Sequence, residues 1–78
     1  MPKALVCITT ELESTEEVLK RVRACEGVEE AFMVHGVYDI IAKVKGDTVD
    51  KLKKILTEKI MKISKVQKTL TMMVVESE

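Results

Sequence analysis

Val34-His35-Gly36-Val37-Tyr38-Asp39-Ile40-Ile41-Ala42-Lys43-Val44 carries apolar residues on both sides of a single glycine, and its reading decides the fold. The pattern predicts a strand, a tight turn at Gly36 and a returning strand from about Tyr38 to Lys45, which together make a hairpin. Side chains alternate across a strand, so residues 28 to 35 divide into two sets. Val28, Glu30, Phe32 and Val34 share one face, with Phe32 toward the core, and Glu29, Ala31, Met33 and His35 share the other.

On the N-terminal side of this hairpin, Ala4 to Thr10 is an apolar run with strand formers that ends in polar Thr9, Thr10 and Glu11. Ser14 stands three residues before Glu17, the spacing of a capping box, and Val18, Leu19, Val22 and Cys25 follow at helical intervals. Gly27 is placed to end that helix. On the C-terminal side, Asp47 is positioned to cap a second helix whose apolar stripe runs through Val49, Leu52, Ile55, Leu56, Ile60 and Ile63. Ser64-Lys65 breaks that stripe, and Val66 to Val75 reads as the last strand.

The order is therefore strand, helix, strand, strand, helix, strand. Residues 14–20 are weakly echoed by residues 47–53, so the chain reads as two similar units. The expectation is an α+β, ferredoxin-like βαββαβ fold occupying residues 1–78 as one domain, a four-stranded antiparallel sheet with both helices on one face.

A chain of 78 residues buries roughly 60–65 % of the surface its unfolded form exposes, so its stability alone is modest. Cys7 and Cys25 are the only cysteines and form no Cys-x-x-Cys, so neither a zinc site nor a disulfide framework is signalled. Self-association is the remaining route to stability. No run approaches the ~20 apolar residues of a membrane span and no signal peptide is evident, which predicts a cytoplasmic protein. Thirteen basic and thirteen acidic residues balance, so no overall field draws the chain to nucleic acid or to a membrane. The lack of Asn and the wealth of Lys, Glu, Val and Ile hint at a thermophile source.

Two helices on one face leave the other face of the sheet open, and in a monomer that face would be polar. If Val66, Leu70, Met72 and Val74 point to the helices, the open face instead carries Gln67, Thr69, Thr71, Met73 and Val75, joined by Met33, Ala31, Ile41, Leu5 and Cys7. Burying ~500 Å² of apolar area per chain at ~25 cal/mol/Å² contributes on the order of 10 kcal/mol before association entropy is subtracted. The expectation is a homodimer joined through the open sheet faces, with Met61, off the helical stripe, marking a further contact between dimers.

The Gly36-Val37-Tyr38-Asp39 run, the strand order and the Thr69-x-Thr71 pair of the last strand resemble the effector-sensing (RAM) domain of the Lrp/AsnC transcription regulators, from Lys3 to Val75. Those regulators carry a helix-turn-helix module before this domain. Here Met1-Pro2-Lys3 leads almost directly into the first strand, so the resemblance implies a stand-alone sensor. It also implies a non-catalytic small-molecule site, with an amino acid as the first candidate, where dimers meet. Gly36, Val37, Tyr38 and Asp39 would border it, Thr69 and Thr71 would line it, and Glu58 would face it; a full-length regulator of the same family is the implied partner.

Each of these residues also has a plainer structural reading. Gly36 is a turn glycine, Asp39 a turn-stabilising carboxylate, Glu58 an exposed helix residue, and Thr69 and Thr71 are ordinary strand formers. His35 and Val37 depart from the small hydroxyl and polar residues that relatives often have there, so the resemblance does not specify the ligand. His35 has no second imidazole or cysteine pair in sequence to make it a metal ligand or a catalytic base, and no cofactor is called for. The lysines from 51 to 68 interleave with Asp50 and Glu58 and read as a solvated helix face.

The alternatives are an ACT-like amino-acid-binding module, a small ferredoxin-like dimeric enzyme and an RNA-binding sheet. The ACT ligand loop would fall at Glu11-Leu12-Glu13, which has no glycine and two acids. The enzyme lacks a nucleophile and base in register, and the RNA-binding sheet lacks strand aromatics beyond Phe32 and Tyr38.

Overall fold

The computed structural model describes residues 1–75. Four strands, β1 (Lys3–Thr10), β2 (Val28–Met33), β3 (Ile40–Lys45) and β4 (Val66–Met73), form one antiparallel sheet in the order β2-β3-β1-β4. Helix α1 (Thr15–Arg23) joins β1 to β2, and helix α2 (Val49–Lys54) continues into a wider π-helical segment, Ile55–Ile60, before β4. This is the expected ferredoxin-like topology.

The core lies between the sheet and the helices. Ala4, Val6 and Ile8 of β1 and Ile40, Ala42 and Val44 of β3 are buried against Val18 and Val22 of α1 and Leu52, Leu56 and Ile60 of the second helix. Leu52, Leu56 and Ile60 repeat every four residues, which drifts by ~40° per step around an α-helix of 3.6 residues per turn. The wider turn takes up that drift and keeps all three on the sheet; Met61 N–H donates to the Leu56 carbonyl at 2.9 Å, five residues back.

Both helix starts differ from expectation. Thr48, not Asp47, caps α2, its hydroxyl accepting from Lys51 N–H at 3.1 Å. Asp47 instead pairs with the Lys51 ammonium at 3.8 Å. Ser14 stands at the cap position of α1 but turns its hydroxyl to the Leu12 carbonyl, and Glu17 pairs with Lys65 at 3.2 Å, so no capping box forms. Gly27, at φ +91°, lies beyond α1; a methyl group there would come within 2.7 Å of the Lys45 carbonyl.

The strand faces are the larger correction. A bulge at Glu29 sets Val28 opposite Val44 and Ala31 opposite Ala42, so both point to the helices, while Phe32 lies opposite Ile41 on the open side. A second irregularity, at Gln67, puts Val66 opposite Thr10 but Lys68 opposite Thr9. Beyond it, Thr69, Thr71 and Met73 share the helix side with Ile8, Val6 and Ala4, whereas Leu70 and Met72 lie on the open side with Cys7 and Leu5. One extra residue reverses every side chain after it, because strand side chains have a period of two. The expected open-face set is thus corrected: Ala31, Met33, Thr69, Thr71 and Met73 leave it, and Phe32, Leu70 and Met72 join Leu5, Cys7 and Ile41.

The open face still carries an apolar centre. Phe32, Ile41, Cys7 and Leu70 stand in one row across all four strands, and Leu5 and Met72 lie beside it. Phe32, Leu70 and Met72 are each close to half exposed.

Candidate functional site

The hairpin connection is a six-residue loop, residues 34–39, rather than a tight turn, and β3 begins at Ile40. The loop is closed at its base by Val34 N–H donating to the Asp39 carbonyl at 2.9 Å, and Asp39 N–H reaches the Ile8 carbonyl at 2.9 Å. Asp39 then fixes the loop to its neighbours. Its Oδ2 accepts from Thr10 N–H at 2.8 Å and from the Thr10 hydroxyl at 3.2 Å, and that hydroxyl is also hydrogen-bonded to the Thr15 hydroxyl at 2.8 Å. The end of β1, the start of β3 and the first residue of α1 are held together by one carboxylate.

Above this anchor the loop is open. Gly36 has φ +156° and nothing within 4 Å of where a Cβ would sit. Val37 is 86 % exposed and Tyr38 is half-buried. The N–H groups of His35, Gly36, Val37 and Tyr38 donate to no acceptor among the described residues. Consecutive free amides, where they converge, present partial positive charge to an anion. Between the loop and α1 runs a shallow groove bordered by Thr15, Met33, Val34, His35 and Asp39.

The other candidate residues lie elsewhere in the protomer. Thr69 is half-buried and Thr71 exposed, both on the helix side of β4. Ile40 and Thr69 both pair with Ile8, so two strand spacings, roughly 10 Å, separate the loop end of β3 from Thr69. Glu58 borders a different groove, with Glu26, Lys51, Lys54, Ile55 and Lys59. Glu26 adjoins Gly27, whose carbonyl accepts from Lys45 N–H, so that groove belongs to the far end of β3 from the loop. One chain brings Gly36, Val37, Tyr38 and Asp39 together and leaves Glu58, Thr69 and Thr71 apart from them.

Thr10 and Thr15 are the residues the sequence reading overlooked. Their signal, a Thr-Thr strand end followed by a threonine at the helix start, acquires meaning only when the topology sets Asp39 beside them. Both cysteines are free thiols, Cys7 buried within the open-face row and Cys25 half-buried just past α1, its thiol donating to the Arg21 carbonyl at 3.4 Å. Burial pushes the Cys25 thiol up, against the opposing pull of the Lys59 ammonium, so it is not an activated nucleophile. Among the described residues no group of His, Cys, Asp and Glu is arranged to hold a metal ion, and no helix is long and apolar enough to cross a membrane.

Comparison with known proteins gives the same fold and one family. The family model described as the Lrp/AsnC ligand binding domain matches residues 3–78. The proline dehydrogenase transcriptional activator of Rhizobium radiobacter is 34 % identical over 68 residues, which cover 87 % of this chain and 44 % of the activator. The chain therefore spans less than half the length of that curated relative. The crystal structure of FFRP-DM1 superposes with a TM-score of 0.92 at 37 % identity, covering 96 % of this chain and all of that one. The structure of E. coli AsnC superposes with a TM-score of 0.90 at 26 % identity, over 97 % of this chain and 52 % of that one.

Proposed function

The chain belongs to the Lrp/AsnC ligand-binding domain family, and on that premise we propose that it is a non-catalytic sensor of a small molecule, foremost an amino acid, at a contact between copies of itself. The observation that carries this reading is the run of four amides at His35 to Tyr38 that are free among the described residues, beside the Asp39 carboxylate. An amino acid bears a carboxylate and an ammonium two bonds apart and needs donors for one and acceptors for the other. The amides supply the donors, and Asp39 Oδ1, which accepts no hydrogen bond among the described residues, supplies an acceptor.

The loop offers one wall only. A ligand that is to lose most of its water needs a second wall, and another copy of the chain provides one, with Thr69, Thr71 or Glu58 entering from a neighbour. Effector binding at such a seam shifts the assembly toward whichever oligomer binds it better. A full-length regulator of the family is the partner on which that shift would act, through mixed assembly. The ACT-like reading finds less support, because Glu13 holds φ +62° in a loop whose two acids would repel a carboxylate.

Thermal melts and light-scattering mass of the purified chain against each of the twenty amino acids test the proposal. The expected outcome is a raised Tm with one or a few of them, together with a change in mass. No shift in either quantity with any amino acid would refute an amino-acid sensor.

A further inference from the structure

Two shallow grooves beside α1 share Met33. The first, at the anchored loop, is bordered by Val34 and Met33 as well as by Thr15, His35 and Asp39. The second has Met33 and Leu19 among its borders, with the charged side chains of Glu16, Glu17, Lys20 and Arg23. Together they make one trough that leads from the loop along α1. Met33 and Val34 are 47 % and 40 % exposed, and Leu19 is half-buried against the edge of the core, so the trough has apolar surface that nothing in the chain covers. Most of its polar groups are already engaged. The Thr15 hydroxyl is bonded to that of Thr10 at 2.8 Å, and Glu17 is paired with Lys65 at 3.2 Å. The Arg23 guanidinium donates to the Ala31 carbonyl from Nε at 3.0 Å and from Nη2 at 2.8 Å. Glu16 and Lys20, both exposed and of opposite sign, give the rim no net charge.

We infer that this trough takes the side chain of the effector, and that the effector is an amino acid with a long aliphatic side chain; the inference rests on the reading of the loop as an amino-acid site. His35 and Asp39 border the same groove as Val34 and Met33, so an amino acid whose head groups are held at the loop has the trough beside its α-carbon. Thr15 and Leu19 are about one helical turn apart, ~6 Å along α1, which is roughly the reach of a four-atom side chain. Covering Met33, Val34 and Leu19 removes apolar surface from water. An amide, carboxylate or ammonium carried to the same wall would lose its own water and meet no free partner on those three residues. A short polar side chain would end near His35 and leave the trough empty. The apolar wall is what selects among effectors, and Met33, common to both grooves, is its central residue.

Titration calorimetry of the purified chain with alanine, 2-aminobutyrate, norvaline and norleucine reads the trough directly, because the head groups stay constant while the side chain grows by one methylene at a time. The expected result is a Kd that falls about two- to fourfold with each methylene. In Met33→Ser, norleucine should bind roughly tenfold more weakly, the loss of a few buried methylene equivalents, while 2-aminobutyrate, too short to reach residue 33, changes less than about twofold. A Kd that stays level along the series in the unsubstituted chain overturns the inference and leaves the amino-acid site standing. Tighter binding of asparagine, aspartate or lysine than of norleucine does the same. No binding of the four probes or of any of the twenty amino acids refutes the site itself, and the inference with it.

Discussion

Asp39 has two claims on it, and a pair of substitutions separates them. Its Oδ2 satisfies both the amide and the hydroxyl of Thr10, a buried residue, so removing the carboxylate leaves donors in a poorly solvated place. Asp39→Ala is expected to lower stability by ~2 kcal/mol in chemical denaturation, the usual cost of orphaning buried polar groups. Asp39→Asn keeps an acceptor oxygen for Thr10 but removes the charge. It is expected to lose under half as much stability while losing the thermal response to any amino acid that raises the Tm of the unsubstituted chain. If the Asn variant keeps that response, Asp39 is an anchor only and the ammonium is held elsewhere.

At the scale of elements, the lesson is the power of one extra residue. All four strands, both helices and their order are legible from apolar periodicity, because burial against a single core forces it. The faces of β2 and β4 are not. Glu29 and Gln67 are ordinary residues for a strand, and nothing local marks either as unpaired; the bulges exist only relative to the partner strands. The candidate site suffered for the same reason. Thr69 and Thr71 do share a face, as their spacing requires, but the residue at 67 decides which one. The Asp39 anchor was half-legible, as a turn-stabilising carboxylate whose partner Thr10 is 29 residues away. Deletion of Gln67 tests the account directly. It removes the bulge while leaving Val66 and Lys68 on their present sides, so it is expected to cost ~1 kcal/mol or less in denaturant melts. Deletion of Thr69 turns either Lys68 or Leu70 and its successors to the wrong side, and is expected to cost ~4 kcal/mol or to prevent folding. Equal costs for the two would show that β4 tolerates either face outward.

For the whole molecule, one face of the sheet is covered by the helices and the other has no helix packed on it among the described residues. The open face carries the apolar row centred on Ile41 and Cys7, flanked by charged Lys43 and Glu30 at one end and by Lys68 at the other. A carboxylate at the middle of that row would be buried without a cation in a face-to-face dimer, a penalty of roughly 3–5 kcal/mol per chain. Ile41→Asp should therefore abolish stacking of the sheets and halve the mass, and it should leave the monomer fold intact because Ile41 points away from the helix-side core. Retention of the unsubstituted mass by Ile41→Asp would show that the open face is not a contact between copies, and the apolar row would then be a surface feature of the single chain.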